Sequence, residues 1–109
     1  WELAGDGRTA RFIDDRGAER ASIRCTAPGR TIQLALANDR SLRLEILTSS
    51  EAREWALSGG LADVPAGNAV LDAIAFSRGR FALRGAQLLV LPVQAEIGRV
   101  IEDCRGPAL

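Results

Sequence analysis

The segment Ser77-Arg78-Gly79-Arg80 places two guanidinium groups and a hydroxyl group around a glycine turn. Such a turn could bind a phosphate, a sulfate or a carboxylate, because guanidinium groups form paired hydrogen bonds with these anions. The same residues also fit a structural role, the end of a helix followed by the start of a strand. Arginine is the chain's only basic residue type and occurs throughout it, so we favour the structural role and keep anion binding as the alternative.

Acidic residues could in principle support acid–base catalysis, which needs two carboxylates held opposite each other. The densest acidic cluster contains Asp72, Glu96, Glu102 and Asp103. Adjacent residues of one helix point to different faces, so Glu102 and Asp103 do not form a catalytic pair. We therefore predict a solvated helix face, no catalytic residues and no enzyme. A carboxylate-dependent hydrolase remains a remote alternative.

A glycine-rich stretch, Ser58-Gly59-Gly60, opens a segment with turn chemistry and no hydrophobic period that extends to Gly67. A glycine-rich loop can approach a ligand closely, but this one matches neither a phosphate-binding loop nor a nucleophile elbow. We interpret Ser58–Gly67 as a mobile connecting loop that could contact a partner. Trp1 and Trp55 could form an aromatic ligand platform, although a place in the core or at its edge is the simpler expectation.

The chain has two cysteines, Cys25 and Cys104, both at positions on apolar faces of predicted elements. One disulfide in an exported protein fits this pattern, and two buried free thiols in a cytosolic protein are the alternative. The chain has no histidine, which excludes histidine-dependent triads and histidine-ligated metal sites. Two cysteines cannot form a four-thiolate zinc site, so we predict no metal site and no cofactor.

The composition is that of one folded domain spanning residues 1–109, with 47% hydrophobic and 26% charged residues. Fourteen basic and fourteen acidic residues give a formal net charge of zero, so nothing indicates binding to nucleic acid or to an anionic membrane. The chain contains no Met, which suggests a processed or trimmed product, and we expect neither a signal peptide nor a membrane span within it.

Alternating hydrophobicity predicts a series of short strands. The clearest alternation lies in Thr31–Ala37 and Leu42–Thr48, where Leu42 is expected inside, and we predict that these two segments pair as a hairpin. Residues 51–57 fit a strand or a helix, and the strand is favoured because it continues the regular spacing of strands and turns. A second hairpin is predicted for Arg80–Arg84 and Gln87–Leu91.

The last of these strands contains the uninterrupted apolar run from Leu88 to Leu91, which is typical of a central strand covered on both faces. Asn68 can cap a short helix near residues 69–77. Apolar residues three and four apart predict a C-terminal helix near residues 93–104. The predicted fold class is therefore α+β: a mostly antiparallel β-meander of about eight short strands, forming a small sandwich or barrel, with these two helices.

Three segments, SRGRFAL, LLVLP and EIGRVIEDCR, resemble the C-terminal end of small exported proteobacterial proteins of unknown function. More distantly, the plan of two strands and a helix ending in a cysteine is similar to periplasmic proteins of the invasion-associated-locus-B type. The resemblance implies export, a β-rich body and no known enzyme activity.

We therefore predict a non-enzymatic periplasmic or secreted domain that binds an unknown protein or envelope component. The predicted contact is a sheet edge or the Ser58–Gly67 loop. A small periplasmic enzyme inhibitor is the alternative.

Overall fold

The computed structural model describes residues 1–26 and 30–106, which form nine strands and two helices. In chain order these are β1 (Glu2–Leu3), β2 (Thr9–Ile13), β3 (Glu19–Thr26), β4 (Thr31–Leu36), β5 (Arg43–Leu47), β6 (Ala52–Ala56), β7 (Leu61–Pro65), α1 (Ala69–Ala75), β8 (Arg80–Arg84), β9 (Leu88–Pro92) and α2 (Ala95–Arg105). The α+β class, the antiparallel strands and the positions of the two helices confirm the prediction. Residues 51–57 contain a strand rather than a helix.

The strands form two antiparallel sheets. The five-stranded sheet has the order β1-β2-β3-β4-β7, and the four-stranded sheet has the order β6-β5-β8-β9. Side chains alternate between the faces of each strand, so the inward residues of neighbouring strands form rows across the sheet. One such row lies across four strands of the larger sheet, and all of its members are at most 2% exposed: Ala10, Ile23, Leu34 and Ala62.

The predicted hairpin of Thr31–Ala37 with Leu42–Thr48 is wrong, because β4 and β5 lie in different sheets. β4 already has β3 on one side and β7 on the other, so both of its hydrogen-bonding edges are occupied. The connection crosses between the sheets instead. Asp39 holds it there, since its two carboxylate oxygens accept hydrogen bonds from the backbone N–H groups of Ser41 (2.8 Å) and Ala86 (2.9 Å). Leu42, expected inside, is 79% exposed.

The expected Ser58–Gly67 loop is also wrong, because Leu61–Pro65 forms β7 at the edge of the larger sheet. Its inward residues, Ala62 and Val64, are fully buried. Their side chains are small and medium in size, so the alternation of hydrophobic residues along this strand is weak in the sequence. Pro65 suggested a break in structure, yet proline is tolerated in an edge strand where its nitrogen faces away from the ladder.

The two tryptophans contact the places where the edges of the two sheets approach each other. Trp1, just before β1, donates its indole N–H to the carbonyl of Pro92 at the end of β9 (2.7 Å). Trp55, on β6, donates its indole N–H to the carbonyl of Asp63 on β7 (2.8 Å). Each bond joins an edge strand of one sheet to an edge strand of the other, so the two sheets form a flattened barrel with these contacts along its sides.

The two helices pack against each other. Asn68 caps α1 as predicted, accepting a hydrogen bond from the Val70 N–H (2.9 Å). α2 packs on β2, β3 and β4. Its C-terminal Arg105 donates to the Ala66 carbonyl (2.7 Å) and to the Asp72 carboxylate (2.8 Å), which fixes α2 to α1. α2 begins two residues later than predicted, because the Val93 N–H still bonds the Gly79 carbonyl and so continues the ladder between β8 and β9.

Candidate functional site

The predicted disulfide is present: Cys25 on β3 and Cys104 on α2 are bonded, with their Cα atoms 5.5 Å apart. The bridge joins the last helix to the third strand. Cys104 is buried, whereas Cys25 is partly exposed beside a cavity of about 420 Å³. Two carboxylates and two guanidinium groups line this cavity and balance in charge: Asp6, Asp103, Arg8 and Arg30. We assign the bridge a structural role.

The turn predicted to bind anions separates into two parts. Ser77 is buried, and its hydroxyl accepts a hydrogen bond from the Ser49 N–H (2.9 Å) and donates one to the Arg80 carbonyl (2.6 Å). This hydroxyl is therefore engaged within the fold. Arg78 and Arg80 are exposed, and within residues 1–26 and 30–106 their guanidinium groups make no hydrogen bond or ion pair.

The predicted contact residues Ser58, Gly59 and Gly60 form a two-residue hairpin turn into β7. Ser58 and Leu61 exchange both backbone hydrogen bonds, at 2.9 and 3.1 Å. The turn needs positive φ at both central residues, and the glycines supply it with φ of 60° and 79°. A Cβ on Gly60 would lie 3.1 Å from two backbone carbonyl oxygens, so this glycine is explained by packing inside the fold.

Two acidic residues of the predicted cluster, Asp72 on α1 and Glu102 on α2, line one groove between the helices. Asp72 and Glu102 both pair with Arg105, at 2.8 and 3.5 Å, and Asp72 raises the pKa of that guanidinium. Elsewhere, the backbone N–H of Ala18 lowers the pKa of the Asp14 carboxyl group, and the backbone N–H of Ser41 lowers the pKa of the Asp39 carboxyl group. These carboxylates close turns. No group of three or more acidic or cysteine side chains in the described part of the chain is arranged to hold a metal ion.

The prediction that Leu88–Leu91 forms a central strand is wrong, since β9 is the last strand of its sheet. Leu88 and Val90 are 51% and 50% exposed, while Leu91 is fully buried. The run is apolar on both faces although only one face is covered. Pro92 provided a signal for this, because it shares the orientation of Leu88 and Val90 and a proline in that orientation is tolerated at an edge.

The backbone of β9 has two residues whose hydrogen-bonding groups point away from the sheet. Gly85 N–H bonds the Gln87 carbonyl and Val93 N–H bonds the Gly79 carbonyl, so the odd-numbered residues of this segment face β8. In an antiparallel ladder the intervening residues then direct their N–H and C=O groups outward. At Pro92 the outward carbonyl already accepts the Trp1 indole. Within residues 1–26 and 30–106, Leu88 and Val90 therefore form the part of this edge that has no hydrogen-bonded neighbour.

Beside this edge, the outer face of the four-stranded sheet carries an apolar stripe. The register aligns one residue from each strand: Ala52, Leu47, Ala82 and Val90. The next row contains Leu88 together with Arg84, which pairs with Glu45 at 3.2 Å. Part of the stripe forms the floor of a groove of about 430 Å³, bordered by Arg78 and Arg80. We call the free backbone of Leu88 and Val90, with this stripe, the β9 surface.

Comparisons with known protein families, with characterised proteins and with solved structures found no match for this chain. Among the residues that the structure describes, no helix is long and apolar enough to cross a membrane. The β9 surface is therefore identified from its geometry alone. It combines a strand edge that is free at Leu88 and Val90 with exposed apolar side chains, and it lies beside two arginines that have no acidic partner among the described residues. These features together suit the binding of a polypeptide.

Proposed function

We propose that this protein is a non-enzymatic exported domain that binds a protein partner through the β9 surface. The observation that carries the proposal is the free edge at Leu88 and Val90, where outward backbone groups lie beside half-exposed apolar side chains. Addition of a strand to such an edge is a common mode of polypeptide recognition, in which backbone hydrogen bonds supply affinity and side chains supply specificity. Natural proteins usually protect free edges with charges, so an apolar one suggests use.

Export is supported by the disulfide and by the sequence resemblance described above. Disulfides persist in oxidising compartments and are rare where thiol reductants are abundant. The proposed location is the periplasm or the extracellular space. A count of free thiols on unreduced, denatured protein from its native host tests it: absence of free thiols is expected, and two free thiols would indicate a reducing compartment.

Substitution Val90→Pro tests the β9 surface directly. Proline removes the outward N–H of residue 90 and leaves the ladder with β8 intact, since Pro92 already occupies the same orientation. Ala56→Pro is the matched control, because it makes the same change at β6, the other edge of this sheet. We expect photo-cross-linking from position 88 in native cell envelopes to give one defined adduct that Val90→Pro abolishes and Ala56→Pro preserves.

A second variant, Val90→Lys, places a charge on the exposed side chain and leaves the backbone unchanged. We expect it to reduce the adduct as well, which would show that the effect of Val90→Pro comes from the edge and not from a loss of folding. Equal adduct yields in all three variants would refute the proposal. If the cross-linked partner is an envelope hydrolase whose activity falls in the complex, the domain acts as the small enzyme inhibitor that the sequence leaves as the alternative.

A further inference from the structure

We infer that the partner of the β9 surface is a second copy of this chain, and that the two β9 strands pair antiparallel about a twofold axis beside Leu89. This inference rests on the function proposed above and names the partner. It follows from the number and the position of the backbone groups that the free edge offers.

The free edge is short and complementary to itself. In the part of the chain that the structure describes, Leu88 and Val90 each direct one N–H and one C=O outward without a hydrogen-bonded neighbour. If Leu88 of one copy lies opposite Val90 of the other, this pair exchanges two hydrogen bonds, and the twofold axis creates a second such pair. The four hydrogen bonds use all the outward groups of both residues in both copies.

The two neighbouring symmetric registers do not achieve this. If Leu88 lay opposite Leu88 of the second copy, Val90 would face Ala86, whose N–H already donates to the carboxylate that holds the connection between β4 and β5 (2.9 Å). If Val90 lay opposite itself, Leu88 would face Pro92, which has no N–H and whose carbonyl accepts the Trp1 indole (2.7 Å). Both registers leave backbone groups of the edge unpaired, which is unfavourable once they are covered.

Trp1 limits the length of any strand that is added to β9, and a second copy fits within that limit. Trp1 lies beside Pro92, so a strand that continued past Val90 would meet it. In the second copy β9 begins at Leu88, and residues 85–87 form the turn that leads back to β8, on the side away from the contact. The second copy therefore supplies strand residues only to the Leu88 and Val90 rows.

The same pairing gives the apolar run of β9 an apolar neighbour on each face. Leu88 and Val90 are half exposed on the outer face, and each would lie beside the other residue of the second copy. Leu89 points to the opposite face, where it is only partly buried against the core, and it would meet Leu89 of the second copy. Cover by a second copy thus accounts for a strand that is apolar on both faces and lies at an edge.

The charges of the two edges of this sheet also favour β9 for self-association. Residues 85–95 contain no charged side chain, so the paired strands oppose no like charges, and the formal net charge of zero gives no overall repulsion between copies. On β6, by contrast, Arg53 is aligned with the buried Ile46. A charge on the inward face of an edge strand prevents edge-to-edge pairing. The β6 edge is therefore protected against a second copy, and the β9 edge is not.

Sedimentation equilibrium of the purified protein, from about 10 μM to about 1 mM, tests the association. A contact of two residue pairs is smaller than a standard interface, so we expect a reversible dimer with a dissociation constant of about 0.1 mM. Val90→Pro removes one outward N–H from each copy, and the loss of two hydrogen bonds should weaken the dimer about thirtyfold. Ala56→Pro, the control at β6, should leave the dissociation constant unchanged.

The register is tested on wild-type protein, so this test does not depend on the folding of a variant. Leu89 of one copy would face Leu89 of the other with their Cα atoms about 4.5 Å apart, the spacing of a pair without hydrogen bonds. In a mixture of isotope-labelled and unlabelled protein at about 1 mM, we expect an intermolecular nuclear Overhauser effect between the two Leu89 Hα protons. Intermolecular effects at other residues alone would refute the inference.

The remaining outcomes separate this inference from the proposed function. If the purified protein stays monomeric at about 1 mM, but position 88 still cross-links in cell envelopes to a different protein and Val90→Pro abolishes the adduct, only the present inference falls. If the protein stays monomeric and position 88 gives no adduct that depends on Val90, the inference and the proposed function are both overturned. A dimer that Val90→Pro leaves intact also refutes the inference, because its contact then lies elsewhere.

Discussion

Reduction of the Cys25–Cys104 disulfide should destabilise this protein more than any other single chemical change. The bridge joins residues 79 positions apart and therefore encloses most of the chain. For a loop of that length, the chain-entropy model gives a stabilisation of about 4.5 kcal/mol, because the cross-link removes conformations from the unfolded state. For a domain of this size, that loss corresponds to a decrease in melting temperature of about 20 °C.

The comparison uses denaturant unfolding followed by tryptophan fluorescence, for oxidised and reduced wild-type protein. Reduction retains both sulfur atoms, so the difference isolates the tether from side-chain packing. The Cys25→Ala/Cys104→Ala variant also loses the sulfur of Cys104, a buried residue that is 3% exposed, and should be about 1 kcal/mol less stable than reduced wild type. A difference of less than about 1 kcal/mol between the oxidised and reduced forms would refute the reasoning, since the tether would then add little to packing.

Three further predictions concern contacts that the tertiary structure creates. Asp39→Asn should lower the unfolding free energy by about 1 kcal/mol at neutral pH. Because the folded pKa of Asp39 is lowered, its contribution is complete above the unfolded pKa and is lost as pH falls through the folded value. Denaturation of wild type and variant at pH 7 and pH 2 should therefore converge at acidic pH, and a constant difference would contradict this. Trp55→Phe should lower the unfolding free energy by about 1 kcal/mol, because it removes the hydrogen bond from the indole N–H to the Asp63 carbonyl. The change is measured as a lower denaturation midpoint, and an unchanged midpoint would show that the contact is not stabilising. Gly60→Ala should lower the unfolding free energy by about 2 kcal/mol or more, and Gly59→Ala should lower it by about 1 kcal/mol, since both glycines have positive φ but only Gly60 lies against backbone atoms. Equal decreases in stability, measured by thermal unfolding, would disprove the packing explanation.

The sequence alone determined the elements whose signals are local. Asn68 marks the start of α1 because a cap depends on a side chain and a backbone group two residues away. The apolar spacing of α2 and the second hairpin are likewise set by residues close in sequence. The pairing of Cys25 with Cys104 could also be inferred, because the chain contains no other cysteine.

Tertiary structure decided how the strands are distributed between sheets. Thr31–Ala37 and Leu42–Thr48 have the alternation of a hairpin, yet they separate because β3 and β7 occupy both edges of β4. Alternation reports which face of a strand is buried and carries no information about which strand lies beside it. The hydrogen bond from Ala86 to Asp39, which joins residues 47 positions apart, is equally invisible to local patterns.

The candidate site shows the same division. Sequence reasoning identified the arginines at positions 78 and 80 and suggested a sheet edge, but it placed Leu88–Leu91 in the centre of a sheet. An apolar run indicates that a strand avoids water on both faces, and it cannot show whether the protein itself or a partner provides the cover. That depends on the order of strands, which leaves β9 at the edge with Leu88 and Val90 half exposed. The residue types were determined by the sequence, and their exposure together on one surface was decided by the fold.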